Sequence, residues 1–240
     1  VFEMRGRGSA DIFRICAPHF ENLTLTKSRK TLKVTKCEVN GILTLDAILD
    51  LNSNRIILDN EAPSAIHYIS KYIFGETPPS QGYGEVQWNI ESQLKTYALP
   101  FGSGLTDHND LNLILYTKTA GIDTLNPLDS TKGNITFATY PANCYNEEFP
   151  TDVNVLDHNP NQVADRYWII DADYSFTKPD VGIIFKYNAE DVDDCNQNLD
   201  ENNLKAMRFN PNLGTWNDVP HTGIADKTSK TVSTDSISKD

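Results

Sequence analysis

Asp171 and Asp173 are the sharpest candidates for chemistry in this chain of 240 residues. On a strand, positions i and i+2 face the same way and lie about 6–7 Å apart. Paired carboxylates at roughly that separation work as acid and base in glycoside hydrolysis, and Tyr167, Trp168 and Tyr174 flank the pair. The same Asp-Ala-Asp also suits a solvated strand end, where acids discourage edge-to-edge pairing. The strand offers no third carboxylate, so the non-catalytic reading is the expected one and a jelly-roll glycoside hydrolase is the enzymatic alternative.

The run from Asp191 to Glu201 offers many oxygens, the ligands calcium takes. It has neither the mid-loop glycine nor the spacing of an EF-hand. It reads as a solvated acidic loop pinned by Cys195, and Asp107-His108-Asn109-Asp110 is a shorter version of it. Calcium is the one ion these loops suit, and no cofactor is expected. His19, His67, His108, His158 and His221 are scattered, with no H-x-H or H-E-x-x-H, and read as turn and surface residues. Gly102-Ser103-Gly104 is a turn rather than a nucleophile elbow. Gly82-Tyr83-Gly84 lacks the third glycine of a dinucleotide fingerprint. Trp88, Trp168 and Trp216 could stack on sugars, but each lies in an alternating run, so core positions are expected.

The four cysteines, Cys16, Cys37, Cys144 and Cys195, form no C-x-x-C. Their even number and separation suggest Cys16–Cys37 and Cys144–Cys195 disulfides in an oxidising compartment; the alternative is four isolated buried thiols. A net charge of −12 argues against nucleic acid, which is held by clustered cations. Here the basic residues are sparse except between Lys27 and Lys36. No stretch of about 18 apolar residues exists, so no membrane span is expected.

The elements that must position these residues begin in the segment from Phe20 to Asn60. Short alternating runs (Leu23–Leu25, Leu32–Val34, Ile42–Leu45, Leu49–Leu51, Ile56–Leu58) follow one another too closely for crossover helices. They fit tight hairpins or the rungs of a β-solenoid. Asn40-Gly41 and Asn52-Ser53-Asn54 are the turn signals, and asparagine tolerates the left-handed backbone of a corner. Ile66 to Phe74 reads as partly helical or extended, and Pro78-Pro79 as a break.

From Gly84 the strand candidates lengthen: Glu85–Ile90, Leu94–Leu99, Leu111–Thr119, Asn134–Tyr140, Tyr167–Ala172, Gly182–Tyr187, Leu204–Phe209 and Thr215–Val219. Eight strands with turn signals between them suggest a two-sheet sandwich or jelly roll. The expected organisation is all-β: terminal solenoid rungs or a strand stack over 1–62, a linker over 63–80, an antiparallel sandwich over 81–220 and a flexible Ser/Thr-rich tail over 221–240. The sequence starts VFEMRGRG, without Met at its first position and without an apolar signal core, and is read as a piece of something longer.

An ordered series runs through the second half: Gly84-Glu85-Val86-Gln87-Trp88-Asn89-Ile90, then Tyr97-Ala98-Leu99-Pro100-Phe101-Gly102, then Asp165-Arg166-Tyr167-Trp168-Ile169-Ile170, then Leu204-Lys205-Ala206-Met207-Arg208-Phe209-Asn210 and Gly214-Thr215-Trp216. It resembles a module common in large secreted and cell-surface proteins of Bacteroidetes-type bacteria, preceded there by coils like Asn22 to Asn60. It departs from that pattern at Leu99, where phenylalanine is usual, at Asn54 in place of a Gly-Asn corner, and in the Asp191–Asp200 loop. The resemblance implies an extracellular, adhesin-like structural part of a type IX secretion cargo. Its partners would be other domains of the parent protein, surface glycans or copies of itself.

Overall fold

In the computed structural model, residues 2–4, 13–15, 18–76, 82–104, 109–123, 132–142, 163–193, 199–210, 215–218 and 222–237 are described. The chain first winds through four coils, each contributing one short strand to each of three walls. The first coil holds β1 (Phe2–Met4), β2 (Phe13–Ile15) and β3 (His19–Phe20). The second holds β4 (Leu23–Thr26), β5 (Lys30–Leu32) and β6 (Lys36–Val39). The third holds β7 (Leu43–Asp46), β8 (Leu49–Asp50) and β9 (Arg55–Leu58). The fourth holds β10 (Ile66–Tyr68), β11 (Ile73–Phe74) and β12 (Glu85–Trp88). Pairing between coils is parallel throughout. This is a three-sided β-solenoid, the second of the two readings the short runs allowed.

Stacking without a register shift is what the alternating pattern produces. Leu23 pairs with Leu43 and Leu43 with Ile66, while Leu25 pairs with Leu45. These side chains fill the bore, and Thr24, Thr26, Thr44 and Asp46 face outward. Each buried leucine contributes about 1.5–3 kcal/mol, whereas a one-residue slip would turn every apolar side chain into water. The corners satisfy their own carbonyls. The buried Lys30 curls back to donate from Nζ to the carbonyls of Thr26 (2.8 Å) and Ser28 (2.6 Å). At the next corner Asn52 and Ser53 adopt left-handed φ values of 49° and 60°. Asn54 Nδ2 there donates to the carbonyls of Leu51 (3.1 Å) and Leu32 (3.0 Å), tying the third coil to the second.

The sandwich grows directly out of one wall. β17 (Asn134–Pro141) pairs antiparallel with β12, and β18 (Arg166–Asp173) with β17. The wall β3-β6-β9-β12 thus continues as one six-stranded sheet, parallel in its first half and antiparallel in its second. A five-stranded antiparallel sheet packs against it: β13 (Thr96–Leu99), β16 (Leu113–Thr117), β19 (Val181–Lys186), β23 (Thr231–Ile237) and β22 (Thr222–Asp226) in that spatial order. Two small pairs complete the strands, β14 (Gly102–Ser103) with β15 (Asn109–Asp110) and β20 (Met207–Asn210) with β21 (Thr215–Asp218). A four-residue helix, α1 (Glu190–Asp193), follows β19. One hydrophobic cluster runs from Phe20 and Leu23 in the solenoid to Val181 and Ile183 in the sandwich.

All eight strand candidates after Gly84 overlap an observed strand. Two expected boundaries do not hold. The stretch from Pro63 to Phe74 is not a linker but most of the fourth coil, entered through a short 3-10 turn at Pro63–Ala65. The segment 222–237 is not a tail but a strand pair, with β23 between β19 and β22. Its serines and threonines suggested solvent, yet Thr234 is fully buried and its Oγ1 accepts the Ile183 amide at 3.1 Å where the ladder shifts register. Threonine is a good strand residue when its hydroxyl has such a partner. Among the described residues no helix is long and apolar enough to cross a membrane.

Candidate functional site

The coil repeat lengthens in the fourth coil. Lys36 pairs with Arg55, nineteen positions on, but Arg55 pairs with Glu85, thirty positions on. Part of the addition precedes β10, at the Pro63–Ala65 turn, and the rest is the excursion from Gly75 to Gly84 between β11 and β12, whose two ends meet in a narrow neck. There the Gly84 amide donates to the Gly75 carbonyl at 3.0 Å. A Cβ on Gly84 would stand 2.7 Å from Leu51 Cβ and 2.9 Å from Gly75 Cα, so only glycine lets the two chains pass.

Both sides of the neck are pinned to β18. On the outgoing side, Arg166 Nη1 donates to Glu76 Oε1 at 2.6 Å and to Thr139 Oγ1 at 3.0 Å. Its Nε donates to Asp191 Oδ2 at 2.8 Å. Asp191 also accepts the Asn188 amide at 2.8 Å, and Asn188 Nδ2 reaches Ser103 Oγ at 3.0 Å. On the returning side, the Tyr167 hydroxyl donates to that of Tyr83 at 3.0 Å, and the Tyr83 ring stands edge-on to Tyr140 and Tyr167. Burial pushes the Glu76 carboxyl above its ordinary range, against the pull of the Arg166 charge. Burial also works against the guanidinium, but Asp191 and Glu76 outweigh it and hold Arg166 firmly protonated.

The returning side of the excursion forms one wall of an open groove of about 510 Å³ at the solenoid corner. Thr35 and Lys36 come from the second coil and Ser53, Asn54 and Arg55 from the third. Gly82, Tyr83 and Glu85 come from the fourth. The Arg55 fork is locked in place: Nε donates to Glu85 Oε2 at 2.6 Å and Nη1 to Gln87 Oε1 at 3.2 Å. Lys36 is exposed, and no described side chain pairs with it. The groove therefore offers one locked cation, one uncommitted cation, hydroxyls, the Asn54 amide oxygen and a tyrosine ring.

No known protein family, curated protein or solved structure matches the chain.

The residues singled out in the sequence lie elsewhere. Asp171 and Asp173 do share the outer face of β18 and are exposed, opposite Thr136 and Asn134. Trp168 points the other way, into the core against Phe101 and Phe185. Trp88 is fully buried, with Nε1 donating to the Asn60 carbonyl at 2.9 Å, and Trp216 packs on Phe209. Of the acidic loop, residues 194–198 lie outside the described ones. Its described ends are engaged, Asp191 with Arg166 and Glu201 with Lys230 at 2.9 Å. Among the described residues no group of three or more His, Cys, Asp or Glu is placed to hold a metal. His19 and His67 are exposed; His108, His158 and His221 lie outside the described residues.

Cys37 is a free, buried thiol with its pKa pushed up to about 11, first by burial and then by Glu38, so it forms no bridge with Cys16 in this structure. Cys16, Cys144 and Cys195 lie outside the described residues. The groove was not picked out from sequence, although it left a signal. KCEV, RIIL and EVQW align as three successive coils, with a cation opening the first two and a long gap before the third.

Proposed function

We propose that the chain is a non-catalytic structural and adhesion module of a larger secreted or cell-surface bacterial protein. The observation that carries this reading is the single six-stranded sheet that passes from the solenoid wall into the sandwich over one shared core. A stack of coils has strand edges at its ends that invite association. Here the last coil continues into antiparallel strands, and β11 is met by the Pro100–Phe101 segment. Such a joint transmits force and spaces what is attached to it, because coil and cap cannot bend independently. The groove's chemistry is consistent with adhesion rather than turnover: the one carboxylate among its described residues, Glu85, is held by Arg55. Export by the type IX route and a cell-surface setting follow from the resemblance.

The test is native-state hydrogen exchange and denaturant unfolding of the whole chain. Amides of β6 and β9 are expected to open together with those of β19, in one transition. Solenoid amides that open fully while β19 stays protected would overturn the rigid-joint reading. Hydrolysis of any polysaccharide in a broad panel, at a rate lowered by changing Asp171 and Asp173 to asparagine, would replace it with the hydrolase.

A further inference from the structure

We infer that the groove beside the fourth-coil excursion binds an acidic polysaccharide, with its anionic groups seated against Lys36 and Arg55. The inference rests on the adhesion reading and supplies it with a ligand.

Insertions in a repeat project from one face and commonly build its binding surface. The described ends of the excursion are built into the fold. They are held by Arg166 and Tyr167, and the neck is closed by the Gly84–Gly75 hydrogen bond. A ligand meeting residues already held, here Tyr83 and Glu85, loses less binding energy to ordering them.

The lining matches a hydroxylated, anionic chain. Thr35 lines the groove with a hydroxyl, Asn54 keeps its Oδ1 as an acceptor while its Nδ2 serves the corner carbonyls, and the Tyr83 ring, braced by two other tyrosines, offers a flat surface to a sugar's apolar face. Lys36 and Arg55 are register partners on adjacent strands, so their charges start from backbones about 4.8 Å apart. The guanidinium plane is fixed by Glu85 and Gln87, while Lys36 has no acidic partner among the described residues. Lys33, at the corner just before, is exposed as well. In a chain of net charge −12, the described lining sets two cations against the single carboxylate of Glu85 and is net positive.

Other occupants fit less well. Among the described residues no aliphatic side chain lines the groove, which there lacks the apolar centre of a protein interface. Nucleic acid carries phosphates far more densely than this patch carries cations, and the rest of the protein would repel it. An acidic segment of a second copy remains as the outcome that the test must separate.

The experiment measures binding of the full chain to polygalacturonate, dextran sulfate and neutral dextran by calorimetry at low and moderate salt. Binding to at least one of the two acidic polymers is expected, weakening with salt, and none to neutral dextran. The acidic polymer that binds tells carboxylate from sulfate recognition. Lys36→Glu should lower the affinity by about tenfold or more, the scale of a charge-assisted contact, without shifting the melting temperature. Lys95→Glu, the same charge change at an exposed residue before β13, should leave affinity within about twofold if one local contact and not bulk charge decides it.

The inference fails if neither acidic polymer binds at low salt, or if both variants bind like the parent. It also fails if Lys95→Glu weakens binding as much as Lys36→Glu. Sedimentation that shows Lys36-dependent self-association without polymer would overturn it in favour of a second copy. Loss of polymer binding alongside a single unfolding transition would sink this inference alone and leave the rigid-module reading standing.

Discussion

Arg166 and Glu76 are ninety positions apart in sequence, yet the guanidinium holds the carboxylate at 2.6 Å where the fourth coil meets the sandwich. The Arg166 side chain is 3 % exposed and shares its charge between Glu76 and Asp191. Two carboxylates thus lean on one cation. Removing the cation leaves two buried acids unpaired, so Arg166→Ala is expected to cost about 3–5 kcal/mol. Glu76→Gln keeps an acceptor for Arg166 and leaves the Arg166–Asp191 pair neutral, so its cost should be about 1 kcal/mol or less. Urea unfolding of the two variants checks the asymmetry, and equal costs would show that the cluster is not organised around Arg166.

The solenoid was legible because its bore reads out directly in period two. Leu23, Leu25, Leu43 and Leu45 all face inward, and no hairpin would align them in parallel register. The wall strand β6 was harder to see, since Lys36 and Glu38 on its outer face and Cys37 between them look like a polar turn. The fourth coil was hidden by Pro63 and by the excursion, which together stretch the repeat from nineteen to thirty positions. β23 was hidden by its own hydroxyls, whose burial depends on a partner strand far away in sequence. The Arg166 cluster and the groove depend on long-range pairing of this kind, which local pattern does not encode.

Glu91 carries a charge that the fold tolerates poorly. Burial raises its pKa first, followed by a hydrogen bond with Glu61 and that residue's charge, while Lys132 pulls it down. A carboxyl whose folded pKa lies above its unfolded value gives stability that is complete below the unfolded pKa, near 4.3. That stability is lost as pH rises through the folded pKa. Glu91→Gln should therefore be more stable than the parent at pH 7, on the order of half a kcal/mol because the site is partly solvated. At pH 4 the advantage should vanish. Melting temperatures of both proteins between pH 4 and 8 test this, and a difference that does not change with pH would rule it out.

The excursion contains two glycines that matter for different reasons. Gly84 lacks room: a Cβ there would stand within 3.0 Å of backbone and of Leu51. Gly82 has room but a φ of +83°. Gly84→Ala is expected to cost about 1–3 kcal/mol through overpacking, and Gly82→Ala about 1–2 kcal/mol through backbone strain alone. The two also differ in kind. Gly84→Ala should loosen the neck and expose the Gly84 amide, which hydrogen exchange reads, while Gly82→Ala should leave that amide protected. Protection at Gly84 that survives Gly84→Ala would contradict the closed neck.

The segment after residue 221 is the hardest part of the sandwich to remove. β23 bonds to β19 on one edge and β22 on the other, and its own Val232 and Thr234 are buried. The Tyr116 hydroxyl also donates to the Thr234 carbonyl at 3.1 Å, which reaches across β19 and ties a third strand to the same segment. Ending the chain at residue 221 would leave the β19 edge unpaired and expose Ile183 and its neighbours to water. Unpaired apolar edges associate, and with the core shared along the molecule the damage would not stay in the sandwich. The truncated chain should lose near-ultraviolet circular dichroism, bind a hydrophobic dye and aggregate, the behaviour of a chain that has lost specific packing. A soluble truncation with the parent's melting temperature would show instead that β22 and β23 are dispensable, and that the six-stranded sheet with β13, β16 and β19 closes the core by itself.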